Sequence, residues 1–262
     1  MSIPHSGEVV PPEAFWLKGL SEPILMCDVD RYVDRLYQPV LKKLNISHVI
    51  AQTHRYVVDL NRLPDDIDAD SVKGNKNPSG RFPIGLHWSR TTKGDRLMEY
   101  PIDLKLHFEL LNKYFWPFHH EIEMQYKERF SQGFGNVYQL DAHSMPSLGT
   151  EVHKDPGKYR PEIVVSDQNG ISCSSEFKNL VIESYKKAGF EVAYNFPYVG
   201  GRVTQTYGKP ERGQHCIQVE LNRDLYMNES TKGLIDEKSS SVAVKIERAV
   251  ANIMEHLKEM KK

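Results

Sequence analysis

The chain reads as an α/β protein: a layered arrangement with a central sheet. Apolar residues recur with strand-like and helix-like periods in alternation along the sequence, as expected of a layered sheet rather than an all-helical or all-β domain. The strand-like runs are short and rich in β-branched and aromatic residues, which suits a buried sheet. A chain of 262 residues is long enough for a substantial core, and one domain spanning 1–262 is the default.

Strands are predicted at 46–51, 56–60, 85–88, 136–140, 162–165, 191–194 and 216–221. Helices are predicted at 32–44, 104–129, 175–188 and 240–260, each with apolar residues every three or four positions. In the first, Val33, Leu36, Tyr37, Val40, Leu41 and Leu44 form one stripe. Pro117 falls inside the second, where it lacks a backbone donor and crowds the preceding turn, so a kink or a break is expected there. The polar stretch 64–81 is either a functional lid or a mobile surface loop.

Lys and Arg number 34 against 35 Asp and Glu, a net charge of -1. No global field therefore favours nucleic acid or an anionic membrane, and electrostatic selectivity must be local. Cys27, Cys173 and Cys216 are odd in number and far apart, fitting neither a disulfide framework nor a paired-cysteine metal site, and are expected as buried thiols. No apolar run approaches the roughly 18 residues needed to span a bilayer, and a cytoplasmic location is the expectation. Phosphate-binding glycine loops, G-x-S-x-G and H-E-x-x-H are absent, which removes support for nucleotide and serine-hydrolase chemistry.

What remains is a scatter of His, Asp and Glu near predicted strand ends, where open α/β sheets place their crevices. Ile3-Pro4-His5-Ser6-Gly7-Glu8 sets a carboxylate three residues after an imidazole, both acceptable to a borderline cation. Asp141-Ala142-His143-Ser144-Met145-Pro146 carries a second His. In Gln218-Val219-Glu220-Leu221-Asn222, strand alternation puts Glu220 on the polar face, where a carboxylate can carry protons. Arg55 and Arg62 bracket Tyr56-Val57-Val58-Asp59-Leu60-Asn61, and two fixed guanidinium groups suit a substrate with a carboxylate and a carbonyl to polarise. His120, Glu121 and Glu123 are expected on a solvated helix face.

Taken together with Asp28-Val29-Asp30-Arg31-Tyr32, Trp116-Pro117-Phe118-His119, Gly200-Gly201 and Tyr207-Gly208, these segments resemble the N-formylglutamate amidohydrolase family over most of the chain. That family is similar to the zinc carboxypeptidases and aspartoacylases. The resemblance implies a three-layer α/β/α fold with a central mixed sheet, zinc-carboxypeptidase-like (phosphorylase/hydrolase-like), and one metal-dependent amidohydrolase domain. It further implies one zinc ion per chain, with another divalent metal as the alternative, held by His5, His143 and a carboxylate. Glu8 is favoured for that carboxylate on the simple loop geometry from His5, with Asp30 as the alternative. Asp28 and Asp30 otherwise orient ligands or cap the helix beginning near Tyr32.

By the same resemblance Glu220 activates water, Arg55 polarises the scissile carbonyl, and Asn61 with Arg62 holds a substrate carboxylate. Arg202 is the nearby basic residue, since Gln205 stands where the family usually has one. His119 matches the family pattern as a catalytic or a packing residue. The implied substrate is a small acidic N-acyl amino acid, foremost N-formylglutamate cleaved to glutamate and formate in histidine degradation. Two alternatives are a metallopeptidase or amidase acting on a peptide or cell-wall fragment, and a catalytically inactive binding protein on the same fold.

Overall fold

The computed structural model describes residues 1–259. Its strands are β1 (Ser2–Ile3), β2 (Val49–Ile50), β3 (Val137–Met145), β4 (Ile163–Ser166), β5 (Val192–Tyr194) and β6 (Gln214–Asn222). Its helices are α1 (Glu22–Leu25), α2 (Val33–Lys43), α3 (Leu104–Leu110), α4 (Trp116–Ser131), α5 (Ser175–Lys187), α6 (Arg202–Tyr207) and α7 (Asp236–Glu259). The strands form one mixed sheet in the order β2-β1-β3-β6-β4-β5. The β4–β6 pair is antiparallel and the others are parallel. The α/β expectation holds, with helices on both faces.

Strand alternation decides what each face receives. Leu140 and Ala142 of β3 and Ile217, Val219 and Leu221 of β6 enter one core with α2, α5 and α7, through Leu36, Tyr37, Phe177, Val181, Ile246 and Val250. Fully burying one such side chain contributes about 1.5–3 kcal/mol. The intervening residues face the other way. There Gln139, Asp141, His143, Gln218, Glu220 and Asn222 are all buried polar groups, under a second layer formed by α4, α6 and the long segment 51–103. That layer has its own core, including Tyr56, Val58, Trp88, Phe118, Ile122 and Tyr207.

Two expected strands are absent. Residues 56–60 and 85–88 are irregular although their apolar side chains are buried. Burial accounts for their composition, while side chains and isolated backbone bonds satisfy much of their backbone. The Asp59 N–H donates to the Leu86 carbonyl, the Tyr56 N–H to His54 Nδ1, and His87 Nδ1 to the Val57 carbonyl. β propensity reports fit to a half-buried surface, and here that surface is not a ladder. The stretch 64–81 is likewise tied down: the Asp68 carboxylate accepts from the N–H groups of Asp70, Ser71 and Phe82, and Val72 is fully buried.

The second predicted helix runs on past Pro117, but with an altered ladder. A π-helical turn, Leu111–Phe115, joins α3 to α4, and the Trp116 N–H reaches back to the Leu111 carbonyl. Widening this turn accommodates the missing donor and bulk of Pro117 without a break. The last predicted helix starts earlier than expected, and its predicted end at Met260 lies outside the described residues. Cys27, Cys173 and Cys216 are buried free thiols. Among the described residues no helix is long and apolar enough to cross a membrane.

Candidate metal centre and active site

The two imidazoles from opposite ends of the β1–β3 region meet. His5 lies two residues beyond the end of β1, and His143 lies within β3, so pairing of Ser2 with Asp141 brings their strands side by side. Their ring centroids are 4.8 Å apart. The turn after His5 passes so close to the backbone of Gln52 that a Cβ at Gly7 would lie 2.4 Å from the Gln52 carbonyl carbon. Only glycine permits that approach.

Asp30 joins them: Oδ2 is 3.0 Å from His143 Nδ1 and 3.5 Å from His5 Nδ1. One ligand atom from each of His5, Asp30 and His143 lies within 4.8 Å of the others. The far nitrogens are both committed to buried carboxylates, His5 Nε2 to Asp59 Oδ1 at 2.7 Å and His143 Nε2 to Asp141 Oδ2 at 2.9 Å. A carboxylate oxygen only accepts, so each Nε2 donates a proton, and each Nδ1 faces Asp30 Oδ2 across the shared space, where a cation would take the place of the Nδ1 proton. Burial works against charge at His143, yet the Asp141 and Asp30 carboxylates hold it well above the usual imidazole range. Burial likewise opposes ionisation of Asp30, but bonds from His143 and His5 hold it well below the usual carboxylate range. The pocket therefore favours positive charge between the rings. Two imidazole nitrogens, one carboxylate and carboxylate partners behind both rings fit a divalent cation with an open position.

The two candidate carboxylates are separated by the fold. Asp30 lies with the imidazoles, whereas Glu8 Oε1 and Oε2 accept from Arg31 Nε and Nη2 at 2.9 and 3.2 Å. The Asp30 side chain does not cap α2, whose N-cap is Tyr32. Asp28 is a local anchor instead, accepting from Tyr56 Oη at 2.6 Å and from Thr92.

Glu220 is the register partner of His143 on β6. Its Oε1 accepts from Gln218 Nε2 at 2.7 Å, while Gln218 Oε1 accepts from the Gly201 N–H at 2.7 Å. That backbone bond orients the Gln218 amide. Among the described residues the other Glu220 oxygen has no hydrogen-bond partner. Burial pushes the Glu220 carboxyl up to about 7, with Asp30 adding to the rise and His143, Arg223 and Arg55 opposing it. A carboxyl in that range can accept and return a proton near neutrality.

Arg55 donates from Nη2 to Asp59 Oδ2 at 2.9 Å and from Nη1 to the Asp28 carbonyl at 2.8 Å, and lies 4.6 Å over the Trp88 ring. Its Nε is buried without a partner. Arg62 spends two donors on the Ile84 and Asn61 carbonyls, and Nη2 stays 4.0 Å from Asp59. Asn61 Oδ1 accepts from the Val203 N–H at 2.8 Å. A Cβ at Gly201 would lie 2.1 Å from the same amide, so this side chain is packed against the start of α6. Arg202 is half-buried, 3.9 Å from Asp66 and bonded to Gln205. His119 donates from Nε2 to the Leu60 carbonyl and meets Tyr207 Oη at Nδ1. Burial pushes it down to about 4, so it is a neutral clamp between α4, α6 and the 51–62 stretch. His120, Glu121 and Glu123 are exposed on α4.

Sequence reading gave no role to Asp59, Asp141, Gln218 or Arg223. Asp141 had a signal, since residues two apart on a strand share a face. Asp59 and Arg223 had none: Asp59 reaches His5 across 54 positions, and Arg223 Nη2 bonds Asp30 Oδ1 at 3.1 Å across 193.

The family model for N-formylglutamate amidohydrolase matches residues 1–227. Proteins called N-formylglutamate deformylase from Pseudomonas aeruginosa and Pseudomonas putida are each 28% identical to this chain, over 87% and 88% of it and 82% of each relative. The crystal structure of N-formylglutamate amidohydrolase from Ralstonia eutropha JMP134 is similar with a TM-score of 0.86 at 25% identity, over 98% of this chain and 93% of that one. A gene product of Agrobacterium tumefaciens shares the fold, with a TM-score of 0.71 at 19% identity over 100% of this chain and 90% of that one. A match running from the strand that leads into His5 to beyond Glu220 spans every element of the site, and on it the chain belongs to the N-formylglutamate amidohydrolase family.

Proposed function

We propose that this protein is a zinc-dependent deformylase that hydrolyses the amide of N-formylglutamate to give glutamate and formate. The observation that carries this reading is the convergence of His5, Asp30 and His143 beside Glu220, with both imidazole Nε2 protons committed to carboxylates. Three protein donors of this kind suit zinc and leave one position for water and substrate. When bound, the ion supplies a Lewis acid and lowers the pKa of water from 15.7 to about 7.

The chain's own residues do the rest. Glu220 takes a proton from the attacking water through its unbonded oxygen and returns it to the leaving amine, for which a pKa of about 7 is suited. Gln218 keeps that carboxylate in place. Negative charge grows on the formyl oxygen in the transition state, and Arg55, fixed by Asp59, Asp28 and Trp88, supplies a preorganised positive field. Arg62, with Nη2 at liberty, takes one substrate carboxylate, while Asn61 fixes the start of α6 beside it.

The test is metal analysis of the purified protein alongside a formylglutamate hydrolysis assay with and without chelator. Stoichiometric zinc and chelator-sensitive release of formate are expected. Formate release that survives complete metal removal would overturn the metal-dependent reading, and no formate release by the zinc-loaded protein would overturn the substrate.

A further inference from the structure

The turn following β6 holds a cation that the chemistry above does not use. Lys232 is only 5% exposed, an uncommon state for lysine unless it is paired. Among the described residues its ammonium has no hydrogen bond and no carboxylate within ion-pair reach. Burial, and then the Arg223 guanidinium with Lys93, lower its pKa; Cys27 and Glu229 act the other way, and Glu229 Oε1 is already taken by the Ser147 N–H. Arg223 cannot turn away, because its donors are spent on Ser144, Cys27, Asp28 and Asp30. Lys232 thus lies within electrostatic reach of Arg223, and Arg223 bonds directly to the Asp30 carboxylate at the centre of the site.

The backbone is arranged to keep Lys232 there. Its φ is +60°, a left-handed conformation that is strained for a residue with a Cβ. Its carbonyl accepts from Arg31 Nη1 at 2.8 Å and from Tyr32 Oη at 3.1 Å. Arg31 is gripped in turn by Glu8 and Glu22. Glu8, three residues after His5, thereby acts on Lys232 through Arg31. Strain of this kind persists where surrounding structure enforces it, commonly at ligand sites.

We propose that Lys232 is a carboxylate-binding residue that takes the second carboxylate of a dicarboxylate substrate, the first being held by Arg62. An ammonium on a side chain so largely buried, without a partner and within reach of another cation, is stabilised when an anion reaches it, and its donors are unspent. The assignment rests on the reading of the substrate as an acidic N-formyl amino acid.

The experiment compares N-formylglutamate with its two monoamides, N-formylglutamine and N-formylisoglutamine, and measures glutarate against butyrate by calorimetry on the zinc-loaded protein. In Lys232→Met, kcat/KM for N-formylglutamate is expected to fall at least 10-fold, mainly through KM, and the preference for the diacid over one monoamide to vanish. Arg62→Ala loses the preference over the other monoamide. Lys232→Arg restores most of the loss, and Glu8→Gln moves KM in the same direction by a smaller factor. Glutarate binds wild type at least 10-fold more tightly than butyrate, and Lys232→Met removes that difference. Unchanged discrimination in Lys232→Met, or loss against the same monoamide in both variants, overturns the assignment. If wild type hydrolyses none of these compounds, the deformylase reading fails, while the calorimetry still decides the role of Lys232.

Discussion

His5 and His143 stand in the same relation to Asp30 and are built in different ways. Each is buried, turns Nδ1 toward Asp30 and bonds a carboxylate through Nε2. His143 lies in a nine-residue strand paired on both sides, and its carboxylate, Asp141, is two residues away on the same face. His5 follows a two-residue strand, and its carboxylate comes from the irregular stretch 51–103. Asp59 is held there by Arg55, by Trp88 Nε1 and by the Asn61 N–H, in addition to His5. Strand periodicity makes one half of the site, and a buried polar network makes the other. The network half has no ladder to fall back on, so removing one member leaves several buried groups unsatisfied.

The largest expected effect lies on the sheet-built half. Glu220→Gln should lower kcat on N-formylglutamate by about 10³-fold, within the range for loss of a general acid–base. Zinc content should stay near wild type, because the residue acts on water and the leaving amine. Turnover within a few fold of wild type would remove Glu220 from the reaction.

Next comes the direct comparison of the two halves. Asp59→Asn and Asp141→Asn should each weaken metal binding by about 10–100-fold, as expected for partners of ligating imidazoles. Only Asp59→Asn should also destabilise the metal-free protein strongly, by about 3–5 kcal/mol, because it strips a buried carboxylate from Arg55 and Trp88. Equal unfolding midpoints for the two metal-free variants would break the distinction drawn between the halves.

Arg62→Ala should raise KM about 10-fold with little change in kcat, since a carboxylate held equally in ground and transition states contributes uniform binding. A fall in kcat at constant KM would instead place Arg62 in the chemistry.

The smallest effect per residue concerns acid. Burial pushes His54, His87 and His119 each down to about 4 from 6.5, and all three pack in the layer containing 51–103 and α4. Between those values the unfolded chain binds more protons than the folded one, so stability rises with pH. It is therefore lost as pH falls from 6.5 toward 4, by about 1 kcal/mol per histidine by pH 5.5. Hydrogen exchange at pH 5.5 against pH 7 should show amides of the 51–103 stretch opening before those of β3 and β6. Uniform acceleration across both would mean that the layers unfold as one.

The sequence by itself determined most of the sheet and the polar face of β6 that carries Glu220, while His143 lies beyond the predicted strand 136–140, in a longer β3. Alternation is a local rule, and it assigns Val219 and Leu221 to one side and Glu220 to the other without knowledge of the partner strand. The helices α2 and α5 were legible for the same reason, through periodicity within one element. The tertiary structure decided which carboxylate stands with the imidazoles. Glu8 is nearer to His5 along the chain, but Arg31 takes it, and Asp30 reaches the rings from the turn before α2. It also decided that 56–60 would be a buried irregular stretch, and that Asp59 would meet His5 and Arg223 would meet Asp30, partners far away in sequence. Such contacts follow from how segments pack, with charge and burial balanced over the whole site. No local period encodes that balance.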